Sequence, residues 1–223
     1  MKRSVIIVAG GSGKRMNAVI PKQFMLLNGK PVLMHSIERF YNYDSSMPIV
    51  VVLPESEVKE WNKLISNQAF SIKHDIVIGG PTRFESVQNG LSKITEHCIV
   101  AIHDGVRPLC SSMLINRCFE DAVKYSNAIP SIPVSDSIRI VEGEKNRIAD
   151  RDSLRIIQTP QCFDSVMIKK AYLNNEAAQC TDDAGVFELD GNTVHLTQGE
   201  RFNIKITVPE DLKIVEAILK INQ

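Results

Sequence analysis

Small residues and cations are concentrated between positions 9 and 23, a combination that suits a polyphosphate. The small residues are Ala9, Gly10, Gly11 and Gly13, and the cations are Lys14, Arg15 and Lys22. Glycines allow the backbone to approach phosphate oxygens and to point N–H groups at them. The cations can neutralise the charge that builds up on a leaving pyrophosphate. The segment therefore predicts a nucleoside triphosphate site, with a plain turn after a strand as the alternative.

Two common phosphate-binding loops do not fit this segment. A Walker loop has four residues between its glycines and ends in Gly-Lys-Ser/Thr, which this segment does not contain. The Rossmann fingerprint GxGxxG does not match the spacing of Gly10, Gly11 and Gly13, and no helical pattern begins directly after them. What remains is a longer glycine loop that carries two or three cations.

Short apolar runs alternate with helical periodicity along the chain. The predicted strands are Val5–Ala9, Ile49–Leu53, Ile72–Ile78 and Ile99–Ile102. Between them, apolar residues recur at helical spacing, as at Leu33, Ile37 and Phe40. This alternation predicts a doubly wound α/β fold with a mainly parallel sheet, whose ligands bind at the carboxyl ends of its strands. At 223 residues, the chain fits a single domain spanning 1–223.

The segment from 137 to 158 interrupts this alternation. It is charge-rich and has a turn-like Glu-Gly-Glu-Lys-Asn at 142–146. Its apolar residues are Ile138, Ile140, Ile148, Leu154 and Ile156. A two-stranded hairpin fits this pattern, but an isolated hairpin is at best marginally stable in water. We therefore expect an arm that packs outside the main sheet, on the same arm of a second subunit, with a mobile surface loop as the alternative.

Charge and cysteine content narrow the choice of partners and compartment. Lys plus Arg and Asp plus Glu number 26 each, so no overall field attracts nucleic acid or an anionic membrane, and attraction for phosphate must be local. The apolar run at the amino terminus is far shorter than the ~18–20 residues that cross a bilayer, and it lacks the features of a signal peptide. Five cysteines without a CxxC pair indicate reduced thiols in a cytoplasmic protein.

Motifs along nearly the whole chain resemble those of the sugar- and polyol-phosphate nucleotidyltransferases. They are Ala9–Met16 with Pro21–Phe24, Gly79–Leu91, His103–Pro108, Ile132–Ser137, Gln158–Gln161, Thr181–Asp183, and Asn203–Thr207 before Pro209–Asp211. Within that superfamily they look most like the 2-C-methyl-D-erythritol 4-phosphate cytidylyltransferases of the non-mevalonate isoprenoid pathway. The resemblance implies a Rossmann-like nucleotidyltransferase fold. It also implies that a polyol phosphate attacks the α-phosphorus of CTP and releases pyrophosphate.

The resemblance implies roles for individual residues. Catalytic roles are implied for Arg15 and Lys22, which match cations that neutralise the triphosphate, and for Lys205, which matches a lysine beside the α-phosphate. Arg151 matches an arginine that enters the partner subunit's site and clamps the acceptor phosphate, so the implied assembly is a homodimer. Nucleotide contacts are implied for Ala9, Gly10, Gly11, Gly13, Lys22, Gly80, Arg83, Ser86, Asp104 and Lys205. Contacts to the polyol phosphate are implied for Asp104, Arg107, Ser137, Arg151, Thr159 and Thr181.

Asp104 is the predicted metal ligand. It follows an apolar run, at the carboxyl end of a strand, where α/β proteins carry chemistry. A carboxylate there can hold Mg²⁺, which prefers one or two carboxylates plus substrate phosphates, or it can contact substrate hydroxyls instead. Arg107 can pair with the substrate or brace Asp104, and His103 is expected to be structural. Ser86 and Thr181 have a second interpretation as helix N-caps.

At three places this sequence differs from the commoner sequence of the family, and these differences leave the identity of the acceptor substrate open. Gly10 replaces alanine, Gly105-Val106 replaces an Ala-Ala pair, and Ser137 replaces threonine. The first two also occur in the ribitol-5-phosphate cytidylyltransferases, so that activity is the main alternative. Arg83 and the motifs at 158–161 and 181–183 resemble the methylerythritol enzymes more closely. A non-catalytic nucleotide-binding regulatory protein on the same fold is a further alternative, since fold does not fix function.

Overall fold

The computed structural model of the chain describes residues 1–10, 20–175 and 180–221. Within these ranges, the strands are β1 (Arg3–Val8), β2 (Leu26–Leu27), β3 (Lys30–Pro31), β4 (Ile49–Leu53), β5 (Asp75–Ile78), β6 (Ile99–Asp104), β7 (Asn127–Pro133), β8 (Arg139–Glu142), β9 (Lys145–Ile148), β10 (Arg155–Ile157), β11 (Gln161–Asp164) and β12 (Leu196–Gln198). The α-helices are α1 (Val32–Tyr43), α2 (Glu55–Asn67), α3 (Arg83–Ser92), α4 (Ser112–Tyr125), α5 (Ser165–Asn174), α6 (Asp183–Leu189) and α7 (Pro209–Ile221). None of these helices is long and apolar enough to span a bilayer.

A mainly parallel sheet forms the centre of the fold. Its strands are ordered β10-β7-β11-β6-β1-β4-β5, and β12 pairs with β7 beside this path. Strands β6, β1, β4 and β5 are parallel, whereas β11 is antiparallel to both β6 and β7. The chain moves from β1 outward to β5 and then crosses to β6 on the other side of β1. This reversal is the topology of a doubly wound sheet, so the predicted fold class is confirmed.

The two faces of the sheet bury different side chains. In β1, Val5 and Ile7 belong to the apolar cluster under α1, α2 and α4, whereas Ile6 belongs to the cluster under α3, α5 and α6. Because helices cover both faces, these strands have no polar side, which explains their continuous apolar runs. Complete burial of one such side chain stabilises the fold by about 1.5–3 kcal/mol.

The predicted arm is divided between two sheets. Strands β8 and β9 form a separate hairpin, Arg139–Ile148, whose turn contains Gly143 at a φ of 62°, a conformation that favours glycine. Val141 and Ile148 of this hairpin are 70% and 75% exposed. Strand β10 instead pairs antiparallel with β7 in the main sheet. The expectation that the whole segment packs outside the main sheet was therefore wrong for Arg155–Ile157, whose backbone bonds to β7.

A second difference concerns the predicted strand at 72–78. Only Asp75–Ile78 forms β5, paired with β4. Ile72 is instead one of the partly buried hydrophobic residues that pack against the core cluster, outside the strand. The apolar pattern therefore located the strand correctly but overestimated its length, because a residue can pack against the core without pairing in the sheet.

Candidate active site

Motif residues gather at the carboxyl ends of β1, β5 and β6 around two adjoining cavities. The first cavity, about 310 Å³, is lined by residues that include Ala9, Gly10, Lys22, Gly80, Arg83, Ser86, Asp104 and Lys205. The second cavity, about 180 Å³, is lined by residues that include Arg83, Asp104, Arg107, Thr159, Thr181 and Lys205. Arg83, Asp104 and Lys205 line both cavities. Two cavities that share one cluster of charged side chains suit two substrates that react at their boundary.

The glycine loop is described only at its beginning. Gly11, Gly13 and Arg15 lie outside the described residues, so their roles stay predictions. Ala9 is held on both sides, because its N–H donates to the Val52 carbonyl at 2.9 Å and its carbonyl accepts from Gln23 Nε2 at 2.7 Å. Sequence reasoning did not assign a role to Gln23, although its place beside Lys22 was a usable signal.

Two lysines from distant parts of the chain meet at the first cavity. Lys22 begins a short 3-10 helix, Lys22–Phe24, and its Nζ donates to the carbonyl of Ile206 at 3.3 Å. The Nζ of Lys205 lies 2.9 Å from Asp104 Oδ2. Because Lys205 and Ile206 are neighbours in the chain, one segment brings both positive charges to the same place. The structure thus assembles two of the predicted catalytic cations.

Asp104 is a buried carboxylate surrounded by cations. Besides Lys205, the Nε of Arg107 lies 3.4 Å from its Oδ2. Burial alone would raise the pKa of the Asp104 carboxyl, but the charges of Lys205, Arg83 and Arg107 outweigh burial and hold the pKa well below its ordinary value. Asp104 is therefore ionised at neutral pH. Arg107 also donates to the carbonyl of Asn203 at 2.7 Å, so it braces Asp104, one of its two predicted roles; its contact to substrate stays a prediction.

His103 holds the turn that presents Asp104. Its ring is fully buried, and burial lowers the pKa of His103 to about 4, so the ring is neutral at neutral pH. Nε2 lies 3.2 Å from the carbonyl of Arg107 and Nδ1 lies 3.1 Å from Thr159 Oγ1. Because a carbonyl only accepts, Nε2 carries the proton and Thr159 donates to Nδ1. Thr159 Oγ1 accepts in turn from the N–H of Asp104 at 3.0 Å, so its hydroxyl supports the turn, and its predicted substrate contact stays a prediction.

Residues of the Gly80–Ser86 turn form part of the wall of the first cavity. The Ser86 hydroxyl accepts from the Gly80 N–H at 3.2 Å and donates to the Thr82 carbonyl at 2.8 Å. A Cβ at Gly80 would overlap the Cβ of Glu85, so this close approach requires glycine. Thr82 is the N-cap of α3, in a capping box with Glu85. The alternative interpretation of Ser86 as that N-cap was therefore wrong.

Arg83, which lines both cavities, forms an ion pair with Asp183 that the sequence did not indicate. Its Nη1 and Nη2 donate to Asp183 Oδ1 and Oδ2 at 2.8 Å and 2.6 Å, and the Tyr172 hydroxyl donates to Oδ1 at 2.6 Å. Burial alone would lower the pKa of Arg83, but the Asp183 carboxylate outweighs burial and raises it. The predicted nucleotide contact of Arg83 stays a prediction, with a structural role now beside it.

The loop of Thr181 is fixed by its two neighbouring aspartates. Asp182 is the N-cap of α6, because its side chain accepts from the Gly185 N–H at 3.0 Å. The alternative interpretation of Thr181 as the cap was therefore wrong. Gln161 supports the same loop, since its amide donates to Asp182 Oδ2 at 2.9 Å and accepts from the Ala184 N–H at 2.8 Å. Thr181 itself is exposed and lines the second cavity, and its predicted contact to the polyol phosphate stays a prediction.

Among the predicted site residues that the structure describes, Arg151 and Ser137 are the two that this chain does not bring to the cluster. Arg151 begins the 3-10 helix Arg151–Ser153, is exposed, and donates to the Ser135 carbonyl at 2.8 Å. Ser137 is also exposed. Among the residues that the structure describes, neither lines the first or the second cavity.

A metal ion at Asp104 would need ligands from a substrate. Within residues 1–10, 20–175 and 180–221, no group of three or more His, Cys, Asp or Glu side chains could hold a metal. Asp104 nevertheless fits Mg²⁺, which binds through one or two carboxylates when substrate phosphates supply the remaining oxygens. Its ionised carboxylate faces both cavities.

Gly10 and Gly105, two positions where the chain differs from the commoner family sequence, differ in the space around them. A Cβ on Gly10 would meet Ser86 Oγ at 3.6 Å, an ordinary contact. A Cβ on Gly105 would approach Leu33 Cδ1 to 2.9 Å and Ala9 Cβ to 3.1 Å. We expect Gly105→Ala to lower the free energy of unfolding by about 1–3 kcal/mol and Gly10→Ala, the matched control, to change it little. Urea unfolding measures both, and equal stability of the two variants would contradict the expectation.

Comparisons with known proteins agree with this geometry. The family model described as "IspD: 2-C-methyl-D-erythritol 4-phosphate cytidylyltransferase" matches residues 4–221. A 2-C-methyl-D-erythritol 4-phosphate cytidylyltransferase from Phocaeicola vulgatus is 46% identical over 219 residues, which cover 98% of this chain and 100% of the relative. One from Bacteroides fragilis is 44% identical with the same coverage.

Solved structures give the same result. The crystal structure of 2-C-methyl-D-erythritol 4-phosphate cytidylyltransferase from Thermus thermophilus aligns with a TM-score of 0.82 at 30% identity, covering 99% of this chain and 100% of that one. The 4-diphosphocytidyl-2C-methyl-D-erythritol synthase of Anaerococcus prevotii aligns with a TM-score of 0.82 at 28% identity, covering 98% of each chain. With the fold, the charged cluster and the near-complete match in agreement, the chain belongs to the 2-C-methyl-D-erythritol 4-phosphate cytidylyltransferase family.

Proposed function

We propose that the chain transfers a cytidylyl group from CTP to 2-C-methyl-D-erythritol 4-phosphate, giving 4-diphosphocytidyl-2-C-methyl-D-erythritol and pyrophosphate. The observation that carries the proposal is the pair of adjoining cavities that share Arg83, Asp104 and Lys205. A phosphate oxygen of the acceptor attacks the α-phosphorus of CTP, and the bond from that phosphorus to the β-phosphate bridging oxygen breaks. Both reactants are anionic, so most of the catalysis comes from positioning and from positive charge.

The first cavity takes the nucleotide. Gly80 and Ser86 of the turn before and at the start of α3 line it, together with Ala9, Gly10 and Lys22. The base and ribose lie along the Gly80–Ser86 turn, and the phosphates lie towards Lys22. Arg15, from the same glycine loop, adds positive charge for the leaving pyrophosphate.

The second cavity takes the polyol phosphate, so the attacking oxygen comes to Lys205 at the boundary between the cavities. Lys205 draws both the attacking phosphate and the α-phosphate to one place and offsets their mutual repulsion. Asp104 holds the Lys205 ammonium at 2.9 Å and offers a carboxylate for Mg²⁺. When bound, Mg²⁺ supplies Lewis-acid neutralisation of phosphate charge. The acceptor hydroxyls lie near Thr159 and Thr181.

A direct assay of acceptor choice tests the proposal. The protein is incubated with CTP, Mg²⁺ and either 2-C-methyl-D-erythritol 4-phosphate or ribitol 5-phosphate, and pyrophosphate release is measured. We expect kcat/KM to favour the methylerythritol substrate by about 10- to 200-fold or more. Both acceptors have five carbons, but they differ in branching and by one hydroxyl, and a change of pocket contacts on that scale carries such discrimination. Release with ribitol 5-phosphate alone would move the assignment to the ribitol enzymes. No release with either would leave a nucleotide-binding protein without this activity.

We propose in addition that the protein is a homodimer whose arms exchange Arg151. Its support is the exposed hairpin with Val141 and Ile148, because apolar side chains on an isolated hairpin favour packing on a partner. Arg151 lies at the base of that hairpin, where its planar guanidinium can reach a phosphate of a neighbouring site and donate two bonds to it. Ser137, at the opposite base of the hairpin, is the second acceptor contact proposed for the arm.

Mixed dimers test this shared site. Arg151→Ala should raise the KM for the polyol phosphate, whereas Arg147→Ala, an exposed arginine on the same arm, should leave it unchanged. When Arg151→Ala chains are mixed with Lys22→Ala chains, each mixed dimer contains one intact site. At an acceptor concentration well below the KM of Arg151→Ala, random exchange should therefore restore about a quarter of the wild-type rate. Exchange proved by co-purification of differently tagged chains, without rescue, would rule out a shared site.

We also propose a cytoplasmic location. All five cysteines are free thiols in the structure, and four of them are buried. Burial raises the pKa of the Cys98, Cys110 and Cys162 thiols, which keeps them unreactive. This use of cysteine fits a reducing compartment.

A further inference from the structure

Asp211, in the first turn of α7, accepts three hydrogen bonds through a single oxygen. Its Oδ2 accepts from the Thr207 N–H at 2.7 Å, from Thr207 Oγ1 at 2.7 Å and from the Val208 N–H at 3.0 Å. The carboxylate therefore fixes the backbone and the side chain of the turn that immediately precedes the helix. In the sequence, Asp211 is only the last residue of the Pro209–Asp211 motif.

The turn that Asp211 fixes carries the contacts of both proposed catalytic lysines. Lys205 lies two residues before Thr207 and places its Nζ 2.9 Å from Asp104. Ile206, between them, accepts from Lys22 Nζ at 3.3 Å through its carbonyl. The Ile206 N–H donates to the Val106 carbonyl at 2.9 Å, which ties the start of the segment to the turn that follows β6. Asp211 ties its other end.

The carboxylate of Asp211 also interacts electrostatically with Lys22, which lines the first cavity. Burial alone would raise the pKa of Asp211, but the hydrogen bonds from Thr207 and Val208 and the positive charge of Lys22 outweigh burial and lower it. Asp211 is therefore ionised at neutral pH, and its charge acts on Lys22.

We propose that Asp211 is a positioning residue, which sets the places of Lys22 and Lys205 by fixing the Thr207–Val208 turn. The proposal deepens the cytidylyl transfer proposed above and rests on it. Asp211 does not touch the reacting atoms; it acts through the turn. Two lysines that are 183 positions apart in the chain are thereby held in one geometry by one carboxylate.

The alternative is that Asp211 only stabilises the amino end of α7, as acids in a first helical turn do. The packing of α7 separates the two roles. The helix is held by an apolar cluster in which Val215 is fully buried beside Ile206, with Leu212, Ile218 and Leu219 packed against it. Loss of Asp211 should therefore leave α7 docked. Glu210, the other acid of the same first turn, provides a matched control, because it does not bond to Thr207 or Val208 among the described residues.

Three variants test the proposal, with kcat and the KM for CTP measured well below each melting temperature. Asp211→Ala should lower kcat/KM for CTP by about 10- to 100-fold, since a small misplacement of a catalytic group costs that much. Asp211→Asn retains an oxygen that can accept the same bonds and should lie within about 5-fold of wild type. Glu210→Ala should lie within about 2-fold of wild type, although it also removes a charge from the helix start.

Two outcomes would overturn the proposal. In the first, Asp211→Ala changes only the melting temperature, as a helix cap would. In the second, Asp211→Asn is as impaired as Asp211→Ala, so the hydrogen bonds to the turn are not what matters. If Asp211→Ala does not fold, Thr207→Val, which removes one of the three bonds, should lower kcat/KM by about 2- to 10-fold, and an unchanged value would overturn the proposal equally.

A binding measurement separates this proposal from the proposed function. Equilibrium dialysis of labelled CTP without acceptor should show a Kd raised about 10-fold or more in Asp211→Ala and unchanged in Glu210→Ala. If the wild-type protein binds CTP but releases no pyrophosphate, the function fails while the positioning role is still decided by these Kd values. If wild type turns over and the Kd and kcat/KM of Asp211→Ala equal those of wild type, the positioning role alone fails.

Discussion

Replacing Lys22 with alanine is expected to lower kcat for cytidylyl transfer by about 10²–10³-fold, the cost of removing one donor from developing charge in an active site. Lys22 lines the first cavity together with Lys205. Negative charge accumulates on pyrophosphate as the bond to the α-phosphorus breaks, so a cation there stabilises the transition state more than the bound substrate. Steady-state pyrophosphate release with saturating CTP and acceptor measures the effect.

Two further lysine variants make this result specific. Lys213→Ala removes the same charge from an exposed position on α7 and should leave kcat unchanged, which excludes an effect of net charge. Lys22→Arg keeps the charge but replaces a compact ammonium with a planar fork, so it should recover only part of the activity. Near-normal turnover of a folded Lys22→Ala protein would remove Lys22 from the mechanism.

The central strands could be predicted because the pattern that indicates each of them lies within a few consecutive residues. Strands β1, β4 and β6 are covered by helices on both faces, so each is a short continuous apolar run, which is the pattern of a buried parallel strand. Asp104 could be located for the same reason, because it is the last residue of such a run and the carboxyl end of a parallel strand is where ligands gather.

The remaining features depend on contacts between distant segments. Arg83 and Asp183 are 100 residues apart, and no local pattern indicates that a motif arginine pairs with a motif aspartate instead of facing solvent. The alternative interpretation of Ser86 and Thr181 as N-caps was wrong because another residue that can cap a helix lies close by in the sequence. Thr82 is four residues before Ser86, and Asp182 follows Thr181. The resemblance supplied the motifs. Only the folded chain showed which side chains of these motifs form hydrogen bonds and ion pairs with one another.

The division of the arm shows a third limit. The apolar spacing of Leu154 and Ile156 is that of a strand, and periodicity does not say which strand is its partner. In the structure, Ile156 pairs with Ile132 of β7, so this strand belongs to the main sheet. The hairpin that remains is shorter, Arg139–Ile148, and Arg151 lies between it and the sheet. The pairing of β10 with β7 therefore anchors the chain that follows Arg151 to the main sheet.

Replacing Asp104 with asparagine is expected to lower kcat by about 10²-fold or more, because one change removes two contributions. The carboxylate holds Lys205 at 2.9 Å and balances Arg107 at 3.4 Å, so without its charge these cations repel one another and Lys205 moves. The same oxygen pair is the protein's proposed ligand for Mg²⁺. The concentration of Mg²⁺ that gives half-maximal rate should therefore rise by about 10-fold or more, the usual cost of losing a metal-site contact.

The dependence on Mg²⁺ distinguishes the two roles of Asp104. Asp104→Glu keeps the charge but moves it by one methylene, so it should retain the response to Mg²⁺ better than Asp104→Asn while remaining impaired in kcat. Asp75→Asn, an exposed carboxylate at the start of β5, controls for net charge and should behave as wild type. If Asp104→Asn loses turnover but needs no more Mg²⁺ than wild type, Asp104 does not bind the metal. Its function would then be to orient Lys205 and the acceptor hydroxyls, which a raised KM for the polyol phosphate would show.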